Sequence, residues 1–494
     1  MSRLDLRRNQ RFDEISEGDC LGWRELVDIF GDRVVFSQAQ YQIITISKVE
    51  VYHQLDSQPT RWNREELKKK REKFIIPGVK QMYADPPHFV KGKGQYLFDE
   101  TGRQYLDMFA GIVTVSVGHC HPKVVQATVE QLNTLQHTST IFMTQPMVDL
   151  GEKLADIAPG DMGKSFITNS GTEANEAAIR FARLATGRHE VIALEHSYHG
   201  ESHLASTLTA NHNWRPDTMP AAGVAYAANA YCYRCPFKKS PDSCGLECAQ
   251  DVERVIQSQT SGKPAVMIAE PIQGVGGAIT PPDDYFIEVK KILDQYGALF
   301  IADEVQTGVG RTGKHWFGIS SYGVQPDIIT MAKGLANGLP IGAVITTEAV
   351  AKALQKQTIN TFGGNPVSAA TALAVLETIE EEKLMENARV VGEYLMAGLK
   401  DLQKQFPQLV GDVRGKGLMV GMELADKNKV PLTKETMRIV EMAKDEGVII
   451  GKGGMFGNVI RIKPPLNITK ENVDTMLKVV KKCMESLVKV GVSA

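Results

Sequence analysis

The chain has 494 residues, enough for two or three domains and a large buried core. Hydrophobic residues make up 43% of it and the formal net charge is -2, so no basic surplus points to nucleic acid. No apolar run approaches the roughly 18 residues of a membrane helix, nothing has the apolar core of a secretory signal, and seven cysteines in so long a chain make no disulfide framework.

These bounds predict a protein of a reducing compartment, the cytoplasm, with neither nucleic acid nor membrane as partner. Arg3, Arg7, Arg8 and Arg11 suggest an organelle transit peptide, but Asp5, Asp13, Glu14 and Glu17 break the acid-poor composition such peptides have. Residues 1–60 carry no recognisable motif and are expected to be an extension. The polar run Arg64 to Lys73 predicts a solvated helix. Alternation in Gln95 to Asp99 and Gln104 to Asp107, across the turn residues Glu100-Thr101-Gly102, predicts a β-hairpin. After His121, Pro122 opens a helical pattern that runs to Leu135.

From about residue 150 to 350, helical patterns alternate with short β-rich runs, the mark of a parallel sheet in an α/β fold. The runs are 164–168, 190–194, 265–269, 298–302, 326–332 and 342–346. In such sheets the ligand site lies outside the carboxyl ends of the strands. Two of these runs end in Asp303 and in Lys333, which delivers a carboxylate and an amine to one crevice. That pair is what pyridoxal phosphate uses: a lysine to bind its aldehyde, and an acid to keep its pyridine nitrogen protonated. Ser170-Gly171-Thr172 stands between a strand and an alanine-rich helix, where free amides and the helix dipole suit a phosphate, although a Ser or Thr there also serves as a plain cap. Cys232, Cys235, Cys244 and Cys248 form a compact cluster that could hold structural zinc or remain reduced thiols; no metal is assigned.

The runs Asn169 to Ala177, Glu270-Pro271-Ile272-Gln273-Gly274, Asp303 to Gly308 and Thr361 to Pro366, taken with Lys333-Gly334, resemble the signatures of class III pyridoxal-phosphate aminotransferases. Gly111 to His119 further resembles the mitochondrial type of alanine-glyoxylate aminotransferase and its bacterial relatives, and the likeness covers roughly residues 65 to 490. It implies an α/β fold of the type I PLP-transferase kind: a large domain with a mostly parallel sheet, and a small α+β domain. Residues 61–125 would join the small domain and a dimer interface, 126–380 would form the large domain, and 381–494 the small one.

By the same resemblance Lys333 carries the cofactor and moves the proton, Asp303 partners the pyridine nitrogen, and Ser170, Gly171 and Thr172 hold the phosphate. Tyr198 stacks on the ring, Val305 covers its other face, and Gln306 approaches the ring hydroxyl. Thr361 reaches the phosphate from a neighbouring subunit, so a homodimer or a dimer of dimers completes the site. His199 and Glu270 support the pocket. Phe109, Ile112 and Val113 line the substrate side, and Arg414 grips a substrate carboxylate. Ornithine and 4-aminobutyrate enzymes carry a glutamate where this chain has Val275, so Arg414 is expected to be unmasked. The implied reaction moves an amino group from an alanine, β-alanine or 4-aminobutyrate type of donor to glyoxylate, pyruvate or another oxo acid. Two alternatives use the same fold: a lyase acting on phosphorylated amino alcohols, and a protein that has lost the reaction.

Overall fold

The computed structural model describes residues 63–216 and 219–490; the extension expected over residues 1–60 lies outside them. Helix α1 (Arg64–Phe74) starts on a capping box in which Asn63 and Glu66 satisfy each other's backbone amides, and it buries no residue, as a polar run should. Strands β1 (Phe89–Lys93), β2 (Tyr96–Asp99) and β3 (Gln104–Asp107) follow as an antiparallel meander. Asp99 closes the predicted hairpin turn by accepting from the amides of Thr101 and Arg103. Helix α2 (Pro122–Thr134) has its proline in the first turn, where no backbone donor is lost. Helix α3 (Gln145–Ile157) completes this part.

The centre is a seven-stranded sheet. Its members are β4 (Lys164–Thr168), β5 (Val191–Leu194), β6 (Val224–Ala227), β7 (Val266–Ala269), β8 (Leu299–Asp303), β9 (Ile328–Met331) and β10 (Gly342–Thr346), in the spatial order β4-β10-β9-β8-β7-β5-β6. Strand β10 runs antiparallel to β4 and β9, and the remaining neighbours are parallel. The six predicted strands are all present within a residue or two, and β6 is an addition. Its run Val224-Ala225-Tyr226-Ala227 is short, and half its side chains are only partly buried, so it carries a weak apolar signal.

Continuous apolar strands of this kind require cover on both faces. On one face Val266, Ile268, Ile301 and Ile328 pack with Ala174, Ala178 and Phe181 of helix α4 (Gly171–Thr186). On the other, Met267, Phe300 and Ile329 pack in one cluster with α5 (Glu247–Gln259), α6 (Tyr285–Tyr296) and α7 (Pro366–Glu381). Fully burying a side chain such as Phe300 contributes roughly 1.5–3 kcal/mol.

Beyond the long helix α8 (Leu384–Gln405) come β11 (Val410–Lys416), β12 (Met419–Leu424), helix α9 (Thr433–Asp445), β13 (Val448–Ile449), β14 (Gly451–Gly453), β15 (Val459–Ile462) and helix α10 (Lys470–Val490). Strands β11, β12, β15 and β14 form an antiparallel sheet, while β13 adds in parallel to β3 of the meander. The two ends of the described chain thus share a sheet.

Candidate active site

Strands β4, β5, β7, β8 and β9 all release the chain at one edge of the central sheet. A cavity of about 120 Å³ lies there, lined among others by Gly171, Thr172, Tyr198, Glu270, Asp303 and Lys333. The lining groups arrive from the ends of five strands, which is why Gly171 and Lys333, 162 positions apart in sequence (333 less 171), meet.

Asp303 is the last residue of β8 and is buried at 3% exposure. Its Oδ2 accepts from Asn175 Nδ2 at 2.8 Å and from His199 Nδ1 at 2.7 Å, and its Oδ1 accepts from the amide of Val305 at 3.1 Å. Asn175 is fixed in turn, since its Oδ1 accepts from Thr330 Oγ1 at 2.7 Å and its Nδ2 also donates to the carbonyl of His199. Three donors hold this buried carboxylate in one orientation. Beside it Glu270 accepts from the amides of Tyr198 and Gly274, and burial holds its carboxyl above the usual range. Glu270 therefore ties the Tyr198 loop to the strand edge.

Lys333 follows β9 with a left-handed backbone, φ 45°, at the start of a short 3-10 turn. That conformation is costly for a residue with a side chain, and it aims the lysine away from the sheet. Burial lowers its pKa below 10.5; the nearby Arg461 lowers it further, against the opposing pull of Asp303 and Glu270. The next residue must be small, because a Cβ on Gly334 would lie 2.3 Å from Ser116 Oγ.

Ser170 caps α4 by accepting from the amide of Glu173 at 3.2 Å, so its hydroxyl serves the helix. Glu173 accepts from the amide of Asn169 at 3.1 Å and from Asn360 Nδ2 at 2.6 Å. The amides of Gly171 and Thr172 have no acceptor among the described residues and stand at the positive end of the helix dipole. Gly171 lets Val305 approach, as a Cβ there would meet Val305 Cγ1 at 2.9 Å.

An amine, a buried carboxylate and a helix start with free amides, around one cavity, fit pyridoxal phosphate at its aldehyde, its ring nitrogen and its phosphate. Such a site on this fold defines a pyridoxal-phosphate enzyme. The model of the class-III aminotransferases matches residues 80–484. An alanine--glyoxylate aminotransferase 2 homolog of Arabidopsis thaliana, named as mitochondrial, is 44% identical over 421 residues, covering 85% of this chain and 87% of the relative. A leucine/methionine racemase of Thermococcus litoralis is 40% identical over 407 residues, covering 81% and 91%. The structure of an amine transaminase from an uncultivated Pseudomonas species, in its PLP-bound form, matches with a TM-score of 0.79 at 31% identity, covering 84% of this chain and 98% of that one. The chain belongs to the class-III aminotransferases. Its cofactor is pyridoxal 5'-phosphate and its reaction is PLP-dependent transamination.

Other expected residues lie elsewhere. Thr361 is exposed and does not line the cavity of its own chain. Val113 is buried, Ile112 is half exposed, and Phe109 sits under the guanidinium of Arg461, 5.1 Å from its ring centre. Residues 110–113 form a left-handed turn with φ between 51° and 65°, held by Asp107, which accepts from the amides of Phe109 and Ala110. None of these three side chains lines the cavity.

Arg414 corrects the expectation drawn from Val275. Its Nη1 donates to Asp412 at 2.7 Å and to Glu423 at 2.9 Å, and its Nε and Nη2 donate to the carbonyl of Gly277. Losing a partner at position 275 leaves it masked by others. The cysteine-bearing loop supplies part of that mask, since the Tyr231 hydroxyl and Arg234 also donate to Glu423. All four of its cysteines are free thiols, and no group of three or more His, Cys, Asp or Glu among the described residues is arranged to hold a metal. Among the described residues no helix is long and apolar enough to cross a membrane.

Sequence reasoning missed Asn175, whose carboxamide links β9 to Asp303, and the two cations Arg461 and Lys463. The alternation Ile460-Arg461-Ile462-Lys463 was the available signal: two cations on one face of an otherwise apolar strand.

Proposed function

We propose that this enzyme passes an amino group from alanine, or from a β-alanine or 4-aminobutyrate type of donor, to glyoxylate or pyruvate, within a homodimer. The observation that carries the reading is the convergence of Lys333, Asp303 and the Gly171 and Thr172 amides on one cavity. The cofactor, when bound, supplies the electron sink that lets a proton leave the substrate carbon.

The chain's own groups have the following parts. Lys333, whose pKa burial lowers, holds the cofactor and then takes and returns the substrate proton. Asp303 holds the proton on the pyridine nitrogen, and its hydrogen bonds to His199 and Asn175 keep the carboxylate in place. Gly171 and Thr172 bind the phosphate through their amides, with Ser170 shaping the turn. Tyr198 would stack on one face of the ring, Val305 would cover the other, and Gln306 would face the ring hydroxyl; all three line the cavity. Arg414 anchors the substrate carboxylate, which takes the place of Asp412, the more exposed of its two carboxylate partners.

Two features support the dimer. Thr361 does not line the cavity of its own chain. Beside it in the chain Ile359 and Phe362 are exposed, and so are Ile141, Phe142 and Met143, more large apolar side chains than a single chain would be expected to leave in water. A second copy covers this set and brings its Thr361 to the phosphate.

The alanine and glyoxylate assignment draws on the Arabidopsis relative's name. A reducing compartment fits the free cysteines; that relative is named as mitochondrial, and fractionation decides between cytoplasm and organelle.

The test is a product analysis of the purified enzyme with a panel of amino donors, each paired with glyoxylate, pyruvate or 2-oxoglutarate. Glycine or alanine formed in step with the donor's oxo product supports the reading. Ammonia and phosphate released without an acceptor would establish the lyase instead. Inverted leucine or methionine would establish a racemase like the Thermococcus protein.

A further inference from the structure

Lys463 follows β15 and is fully buried, at 0% exposure. Its Nζ lies 2.9 Å from Gln306 Oε1 and 3.4 Å from the carbonyl of Gly274, and among the described residues no carboxylate pairs with it. The cations around it are unpaired in the same sense. Arg461 donates only to the carbonyls of Lys452 and Gly274, and Arg311 donates to the carbonyls of Leu418 and Pro464. Burying three basic side chains beside a lysine nucleophile, without a matched anion for each, is expensive. Burial and the neighbouring Arg461, Lys333 and Arg311 accordingly hold the Lys463 amine well below 10.5.

What the arrangement gains is an oriented amide. The two atoms that Lys463 approaches, Gln306 Oε1 and the Gly274 carbonyl oxygen, are both acceptors, and its amine donates to both. The carboxamide oxygen of Gln306 thus faces the lysine, which leaves the carboxamide nitrogen turned away from it. Gln306 lines the cavity, and the nitrogen donates to no acceptor among the described residues. Gly274 is what lets the carboxamide lie against this backbone, since a Cβ there would sit 2.3 Å from Gln306 Oε1 and 2.6 Å from its Nε2.

We propose that Lys463 is a positioning residue of the cofactor pocket: by donating to Gln306 Oε1 it locks the carboxamide with its NH2 turned inward, so that Gln306 can only donate to the ring oxygen of the bound cofactor. This rests on the cofactor contact proposed for Gln306. It assigns a role to a residue that touches neither substrate nor cofactor.

The test strips the full-length protein of cofactor and titrates it with pyridoxal 5'-phosphate, comparing Lys463→Met, Gln306→Leu and the double variant. Methionine fills nearly the same volume and has no donor. The expected result is binding weakened roughly three- to tenfold by K463M, the range of one lost hydrogen bond. Gln306→Leu weakens it at least as much, and the double variant is no weaker than Q306L alone, because Lys463 has nothing left to orient. Gln306→Glu leaves Lys463 in place and gives a readout that does not depend on the fold surviving its loss. A carboxylate there should pair with the buried amine and keep or raise the thermal midpoint, while cofactor affinity falls because the cavity side now offers no donor.

If Q306L binds the cofactor as tightly as the wild type, the assigned Gln306 contact fails and the inference with it. If Q306L weakens binding while K463M does not, or the two effects simply add, the contact stands and the inference about Lys463 is overturned. Wild-type affinity in Q306E would overturn it as well.

Discussion

At the scale of single residues the site depends on a lysine that is costly to place. Lys333 sits in a left-handed backbone conformation at a sheet edge, with its pKa lowered chiefly by burial. Between the folded value and the unfolded value near 10.5 the unfolded chain binds more protons, so this group makes the cofactor-free protein more stable as pH rises through that window. The same shift leaves more unprotonated amine available to the cofactor near neutral pH. The rate at which cofactor-free enzyme captures pyridoxal phosphate should therefore rise with pH about a midpoint below 10.5. A stopped-flow pH series reads that midpoint, and a value at 10.5 would mean that the buried environment has no effect.

Arg414 gives a second prediction at this scale. Arg414→Ala should raise KM for donors that bear a carboxylate by about tenfold or more, the loss of one charge-assisted pair, while leaving amines without a carboxylate nearly unaffected. Equal losses for both kinds of donor would mean that the change disturbs the Glu423 network instead.

At the scale of elements, the phosphate turn and the ring contact are one packed unit. Gly171→Ala improves helix propensity in α4, yet its Cβ would press on Val305 at 2.9 Å. We expect a thermal midpoint close to wild type with cofactor affinity reduced several-fold, checked by calorimetry and by titration on the same sample. Strands β7, β8 and β9 were legible in the sequence because buried parallel strands read as continuous apolar runs closed by polar groups, and Asp303 and Lys333 are the residues that close two of them. Strand β6 was not, being short and only half buried. Nor was the pairing of Arg414, since Asp412, Glu423 and Gly277 reach it through register across β11 and β12 and through a loop more than 130 residues earlier. Local patterns carry no information about such partners. The left-handed turn at residues 110–113 was hidden for a different reason: Ile112 and Val113 are residues that ordinarily avoid it.

At the scale of the whole molecule, the dimer reading makes the active site a shared property. Lys333→Ala and Thr361→Asp should each be inactive alone, for unlike reasons. Refolded together they should regain about a quarter of wild-type activity, because half of the random dimers are hybrids with one intact site each. No recovery, with mixed dimers shown by mass, would mean that Thr361 serves its own chain or no site at all. The alternation of strand and helix, the sheet with both faces covered and the edge at which strands end were readable in advance. The surface that the dimer reading assigns to a second copy was not, because exposed Phe142, Met143 and Phe362 look in sequence like any other apolar residues.

The most direct test of the account is to reduce the cofactor-loaded enzyme with borohydride, digest it and locate the cofactor's mass among the peptides. The account predicts that the mass lies on Lys333 and is absent from the Lys333→Ala variant. A cofactor found on another lysine, or not retained at all, would contradict it.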